Sequence, residues 1–269
     1  MKRIILASAL ALATALPLGA LADTEITAVG STALLPLVKQ SAADYSTHHP
    51  DVKIEVSGGG SFVGIAQASS GAADMGDSDV VAPGNSGLVD HKVAVVVFAV
   101  AANPSAGVTN LTSKQIRGIF SGRITNWKDV GGKDQQIVVI NRPRTSGTRA
   151  VFKSTIMGLS QLTENGLTED SSGAVTTMVA TTPGAVTYVS LSYTRDKPVT
   201  VLKINGVAPA ARNVRTGKYP IWSYEHIFTK GKARRDVQAF IDYIASNKDV
   251  LEKLGYIVVS SMKVHENDR

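Results

Sequence analysis

Ile137-Val138-Val139-Ile140-Asn141-Arg142-Pro143-Arg144-Thr145-Ser146-Gly147-Thr148 joins a β-branched run to a hydroxyl-rich turn and then to a segment with helical spacing. The run at 137–140 reads as a strand, and the residues after the turn read as a helix. A guanidinium, several hydroxyls and a glycine-freed backbone at a helix start make an anion receptor, because unpaired N–H groups and the positive end of the helix dipole gather there. Arg142 suits the role through its planar fork, which matches two oxygens of a tetrahedral anion; a surface salt bridge is the plainer reading. Arg144 competes with it. In an extended segment the two side chains share a side unless Pro143 redirects the chain, so which arginine faces the anion stays open.

The same unit recurs twice upstream. Residues 26–29 form a short apolar strand, Gly30-Ser31-Thr32 interrupts it, and Leu34, Leu35, Val38, Ala42 and Tyr45 then recur at helical spacing until His49-Pro50. Residues 52–56 alternate as a second strand, Gly58-Gly59-Gly60-Ser61 turns, and Phe62, Ile65, Ala66 and Ser69 share a face of the next helix. Each turn puts Ser or Thr where the carboxyl end of a strand meets a helix start, which is where ligands bind in open α/β sheets. A single such turn is an ordinary N-cap. Three of them with an arginine point to a ligand.

Strands and helices continue to alternate downstream. Residues 93–100 are a continuous apolar run typical of a strand buried on both faces. Residues 111–120 read as a helix capped at Thr112 or Ser113, residues 184–191 and 199–204 as strands, 221–229 as an aromatic-rich extended stretch, and 233–246 as a helix with Val237, Phe240, Ile241 and Ile244 on one face. The order implies an α/β fold with a parallel or mixed sheet flanked by helices.

Residues 1–22 read as a secretory signal: Lys2 and Arg3 at the start, an apolar centre at 4–16, and Ala20-Leu21-Ala22 as the cleavage site. Thr14 and Pro17 break the run short of the roughly 20 residues that span a bilayer. The chain has no cysteine, hence neither a disulfide nor a lipid-anchor site, and a periplasmic location follows. Without the signal, 26 basic residues face 22 acidic ones, a net +4 scattered along the chain and too mild to argue for nucleic acid.

Asp79 is the odd member of the set. A carboxylate in an anion site repels unless the anion has a proton to give, so it selects protonated oxyanions: hydrogen phosphate donates, and sulfate at neutral pH does not. The plainer reading makes Asp74, Asp77 and Asp79 an Asp-rich turn. The five histidines, at 48, 49, 91, 226 and 265, have no metal-ligand spacing, and no activated nucleophile is apparent, so a receptor outranks an exported phosphatase.

Gly30-Ser31-Thr32, Gly60-Ser61, Asp74-Met75-Gly76-Asp77-Ser78-Asp79 and Arg142 with Ser146-Gly147-Thr148 resemble, in order and spacing, the ligand motifs of periplasmic phosphate-binding proteins of ABC phosphate transporters, within the type II periplasmic binding proteins. The resemblance continues through 111–127 and 184–191 and from Tyr219-Pro220 to Lys230-Gly231. It implies a two-domain Venus-flytrap fold with two mixed sheets flanked by helices and a hinge of two crossover segments. Domain I would be 23–98 with 219–269, and domain II 99–218. It implies phosphate held by Ser31, Thr32 and the Ala33 amide, by Ser61, by Asp79 as proton acceptor, and by Arg142, Ser146, Gly147 and Thr148. It further implies a monomer with no cofactor and no catalysis, delivering to membrane-embedded permease subunits. Another oxyanion, sulfate or molybdate, is the alternative ligand. Thr145 stands where many relatives have glycine, and Arg144 is not a usual ligand.

Overall fold

The computed structural model describes residues 24–265; the signal reading at 1–22 lies outside them. β1 (Thr24–Gly30), α1 (Leu35–His48), β2 (Val52–Ser57), α2 (Ser61–Ser70) and β3 (Met75–Ser78) open the chain. Next come β4 (Leu88–Ala102), β5 (Asn110–Leu111) and α3 (Ser113–Phe120), then β6 (Val138–Asn141), α4 (Gly147–Phe152), which runs on into a π-helical turn at Lys153–Met157, β7 (Leu167–Thr168), α5 (Ser172–Thr181) and β8 (Ala185–Ser190). β9 (Thr200–Val201), β10 (Lys203–Ile204), α6 (Ala211–Arg215), β11 (Trp222–Lys230), α7 (Arg235–Ser246) and α8 (Lys248–Leu254) complete it.

The expected pair of mixed sheets is one connected path of strands, β2-β1-β3-β11-β4-β8-β6-β7, with β9 also on β4 and a separate β5–β10 pair. β1 is parallel to β2 and β3, β6 is parallel to β7 and β8, and β4 and β11 run antiparallel to their neighbours. The join is β4. From Leu88 to Val97 it pairs with β11, and from Phe98 to Ala102 with β8, so one strand serves both halves. Its burial explains how it can: every residue from Val93 to Ala102 is buried, as expected of an apolar run with helices over both faces.

Helices fix the halves separately. α1, α7 and α8 pack on the β1 side, where the rings of Tyr45 and Phe240 lie 5.3 Å apart. In the other half, Phe152, the last residue of α4, packs edge-on with Phe120 and stacks on Tyr188, with the Phe152 and Tyr188 centroids 4.2 Å apart at 11°. The Trp127 indole N–H donates to the Gly184 carbonyl at 2.9 Å.

Several elements differ from the sequence reading. Leu111 belongs to β5, and helix α3 is capped by Thr112 with a full Thr112–Gln115 capping box. Residues 199–204 split into two two-residue strands with different partners, β4 and β5. Of the three acids, Asp77 lies in a strand and not in an Asp-rich turn, since β3 is held between β1 and β11, with Asp74 and Asp79 just outside its two ends. α2 buries Ser61, Gly64, Ile65 and Ala68, and exposes Phe62 and Ala66, because its small residues let the helix lie close on β3. The short helices α5, α6 and α8 have no counterpart in the sequence pattern.

Candidate functional site

The sequence motifs converge on one buried cluster at the carboxyl ends of β1, β3 and β6. Ser31 follows β1, and its hydroxyl accepts the amides of Ala33 at 3.0 Å and Leu34 at 3.2 Å while donating to Asp79 Oδ1. Ser61 opens α2 and accepts the Asp79 amide at 2.9 Å. Across the cluster, Thr148 in the first turn of α4 donates to Asp79 Oδ2 at 2.7 Å. Ser31, Thr32, Ser61, Asp79, Arg142, Ser146 and Thr148 are all buried.

Arg142, just after β6, is the arginine that lies in the cluster. It is 1% exposed, and its Nη2 donates to Thr32 Oγ1 at 3.1 Å, its Nη1 to Ser172 Oγ at 3.2 Å, and its Nε to the Glu169 carbonyl at 3.1 Å. Arg144 is exposed and lines a surface hollow of about 430 Å³ with Ser146, Arg149 and Lys153. The segment turns after Asn141, with the Ser146 amide bonded back to the Pro143 carbonyl at 3.1 Å, so alternation along a strand no longer relates the two side chains.

Two glycines allow the close approach. A Cβ on Gly147 would lie 2.1 Å from Ser61 Oγ and 2.9 Å from Asp79 Cβ, so only glycine lets α4 meet α2. Gly60, at φ +95°, faces the Thr145 carbonyl, which also accepts the Phe62 amide at 3.2 Å. Thr145 adds no hydroxyl to the cluster through its bonding; its carbonyl ties the α4 turn to α2.

Three expected ligands have local duties as well. The Ala33 amide is held by Ser31, and its carbonyl accepts Tyr256 Oη at 2.5 Å. Ser146 is the N-cap of α4, accepting the Arg149 amide at 3.2 Å. Gly147 contributes backbone alone.

Residues that the sequence reading passed over complete the set. Ser172, at the start of α5, bonds both Arg142 and Thr32, its amide donating to Thr32 Oγ1 at 3.1 Å. Asp170-Ser171-Ser172-Gly173 is a fourth hydroxyl turn before helical spacing, so the signal was present; β7 before it is only two residues long. Tyr193 donates its hydroxyl to the Thr32 carbonyl at 2.8 Å, and burial pushes its pKa up to about 12. Glu225, from β11, is fully buried.

Electrostatically the site is one cation among buried acids. Burial lowers the Arg142 pKa, opposed chiefly by Asp79, yet a guanidinium keeps its proton. Burial raises Asp79, against the pull of the Ser31 and Thr148 hydroxyls and the Arg142 charge. Asp77 and Glu225 are driven well above the ordinary carboxyl range, first by burial and then by Asp79. Among the described residues no group of three or more His, Cys, Asp or Glu is placed to hold a metal ion.

Hydroxyls, helix starts and one fork-shaped cation around a buried carboxyl form an anion receptor, and similarity to known proteins agrees. The profile of the PBP superfamily domain matches residues 17–248. The chain is 46% identical over 251 residues to the phosphate-binding protein PstS of Bacillus subtilis (strain 168), covering 90% of this chain and 83% of that one. A candidate phosphate ABC transporter substrate-binding protein from Clostridium perfringens, solved with bound phosphate, superposes with a TM-score of 0.84 at 32% identity, over 88% of this chain and all of that one. An ABC-type phosphate transport receptor from Vibrio cholerae gives a TM-score of 0.70 at 31% identity, over 86% and 99%. The chain therefore belongs to the PBP superfamily, among the PstS-type proteins.

Proposed function

We propose that this protein binds inorganic phosphate outside the cytoplasmic membrane and hands it to membrane-embedded ABC permease subunits, without catalysing a reaction. The observation that carries this reading is Asp79: a buried carboxyl inside an otherwise anion-seeking cluster, bonded to Ser31 and Thr148 and near the Arg142 charge. Hydrogen phosphate has a proton to give such an acceptor, and sulfate at neutral pH has none. Phosphate oxygens would take the donors that Thr32, Arg142 and Ser172 now direct at one another and that Thr148 directs at Asp79, with Ser31, Ser61, Ser146 and the Ala33 and Gly147 backbone forming the surrounding wall. The names of the B. subtilis and V. cholerae relatives support both the ligand and the transport setting.

The reading carries a domain division, 23–98 with 219–269 against 99–218. It is supported by the partner exchange of β4 between Val97 and Phe98, and by the return of the chain beside it, where the Phe98 amide bonds to the Ile221 carbonyl at 3.0 Å. Closure of these two units on the anion, in a monomer exported by cleavage after Ala22, completes it.

Titration calorimetry with phosphate and with sulfate tests the ligand. Tight phosphate binding with sulfate at least a hundredfold weaker is expected, and Asp79→Asn should narrow that ratio. Sulfate binding in the absence of phosphate binding overturns the reading.

A further inference from the structure

The deepest part of the site holds two acids, Asp77 and Glu225, that direct phosphate contact does not use. Asp77, Asp79 and Glu225 lie together there, all fully or almost fully buried. Strand register explains the grouping. β11 and β3 are antiparallel with His226 opposite Ser78 and Ile227 opposite Asp77, so the next step of the same register sets Glu225 opposite Asp79. Residues two apart on a strand share a face, which puts Asp77 and Asp79 on the same side. The pairing of β11 with β4 shifts between Glu225, opposite Ala94, and His226, opposite Lys92, so Val93 of β4 is the extra residue of a local bulge beside Glu225.

Neither carboxyl oxygen of Glu225 meets a protein donor, and the group that faces it across the strand register is another carboxyl, that of Asp79. Two buried carboxyl groups in contact repel unless a proton lies between them. The two acids are not equivalent. Asp79 already accepts hydroxyls from Ser31 and Thr148 and feels Arg142, all of which favour its ionised form, whereas Glu225 has none of these. The shared proton therefore belongs on Glu225, which donates it to Asp79.

We propose that Glu225 is a positioning residue for anion binding: it holds the proton of the Asp79–Glu225 pair, so that Asp79 remains an ionised acceptor turned toward the ligand and the floor of the site carries one negative charge instead of two. This rests on phosphate being the ligand. A consequence is that deprotonation of Glu225 places a second negative charge under the anion and weakens binding, so affinity falls on the alkaline side because of Glu225.

The other ionisable groups facing Glu225 are Asp77, Tyr193 and Tyr256, with Arg142 beyond Asp79. Both tyrosines are raised by burial and stay neutral over the same range. His226 is bonded to Asp90 at 2.7 Å, and Lys92 sits 4.5 Å over the Tyr224 ring, so both side chains are engaged elsewhere. Asp77 is the one rival, and it needs its own variant.

The test is phosphate affinity from neutral to alkaline pH for the full protein, Glu225→Gln and Asp77→Asn, alongside infrared absorption of protonated carboxyl groups in the unliganded wild type. The ligand's own titration is common to all three proteins and cancels in their ratio. Glu225→Gln keeps a donor toward Asp79 without a charge to gain. It should bind within about threefold of wild type at neutral pH and be favoured by tenfold or more at the alkaline end. Asp77→Asn should follow the wild-type curve. Parallel curves for wild type and Glu225→Gln, or flattening by Asp77→Asn alone, overturn the proposal. If Glu225→Gln does not fold, the infrared arm decides, taken on Asp77→Asn so that the Asp77 carboxyl does not contribute: a protonated carboxyl band at neutral pH that is lost on the alkaline side together with affinity is expected, and its absence overturns the proposal. Absence of phosphate binding by the wild type removes the phosphate reading, while the infrared band still reports whether the buried acid holds a proton.

Discussion

Each nitrogen of the Arg142 guanidinium donates to a group inside the protein, whereas Arg144, two residues on, is exposed. The residue types of the site were legible in the sequence because hydroxyls, glycine and a fork-shaped cation are what an anion needs. The choice between the two arginines was not, because it depends on a turn at 143–146 whose bond back to Pro143 no periodicity reveals. Arg142→Ala should weaken phosphate binding by about two orders of magnitude or more, as charge-assisted hydrogen bonds contribute roughly 1.5–3 kcal/mol each. Arg144→Ala should change it by less than about threefold. Equal losses in calorimetry would remove the distinction. The buried acids give a second prediction. Asp77 and Glu225 hold their protons to higher pH folded than unfolded. Between those two ranges the native state binds more protons than the unfolded state, so stability is greatest at or below the ordinary carboxyl range and falls as pH rises, by up to about 1.4 kcal/mol per pH unit for each such group. Asp77→Asn should make urea-derived stability decline less steeply with pH; an unchanged slope would show that Asp77 ionises alike in both states.

At the scale of elements, strand–turn–helix units that begin with several apolar residues were readable, which is why β1–α1, β2–α2 and β6–α4 lie near where the periodicity puts them. α5 escapes the pattern for the opposite reason: its strand β7 is two residues long, too short to show a period. Glu225 is hidden differently, as one acid in an aromatic run whose burial comes from neighbours at positions 75–78 and 88–97. α5 offers a clean separation of folding from binding. Ser171 is its N-cap, accepting the Ala174 amide at 3.1 Å, while the Ser172 hydroxyl reaches Arg142 and Thr32. Ser172→Ala should therefore leave the melting temperature within a few degrees and lower phosphate affinity about three- to thirtyfold, the effect of losing a hydroxyl that orients a charged donor. Ser171→Ala should do the reverse, costing about 1 kcal/mol of stability as a lost cap with little change in affinity. Matching effects of the two substitutions in paired melting and calorimetry would dissolve the assignment.

For the whole molecule, the proposed closure over an anion would bring together two halves that share β4. Their contacts across the site are made by few atoms: Thr148 to Asp79, Arg142 and Ser172 to Thr32, Tyr193 to the Thr32 carbonyl, and Phe62 to the Thr145 carbonyl. Most are polar bonds that water could replace in an open form, so under the proposed closure the anion that such donors would hold in common decides the balance. Gly147 sits where this approach is tightest. A methyl there would overlap Ser61 Oγ at 2.1 Å and approach Asp79 Cβ at 2.9 Å, and both partners are buried, with no room to yield. Gly147→Ala acts on the close approach and not on the helix, because alanine is a better helix former than glycine in the first turn of α4. The variant should fold at least as stably as wild type in denaturant, bind phosphate a hundredfold or more weakly, and show by small-angle scattering no contraction on adding phosphate, where wild type contracts. Contraction of Gly147→Ala equal to that of wild type would mean that the halves close without the α2–α4 contact, and that the glycine serves the turn alone.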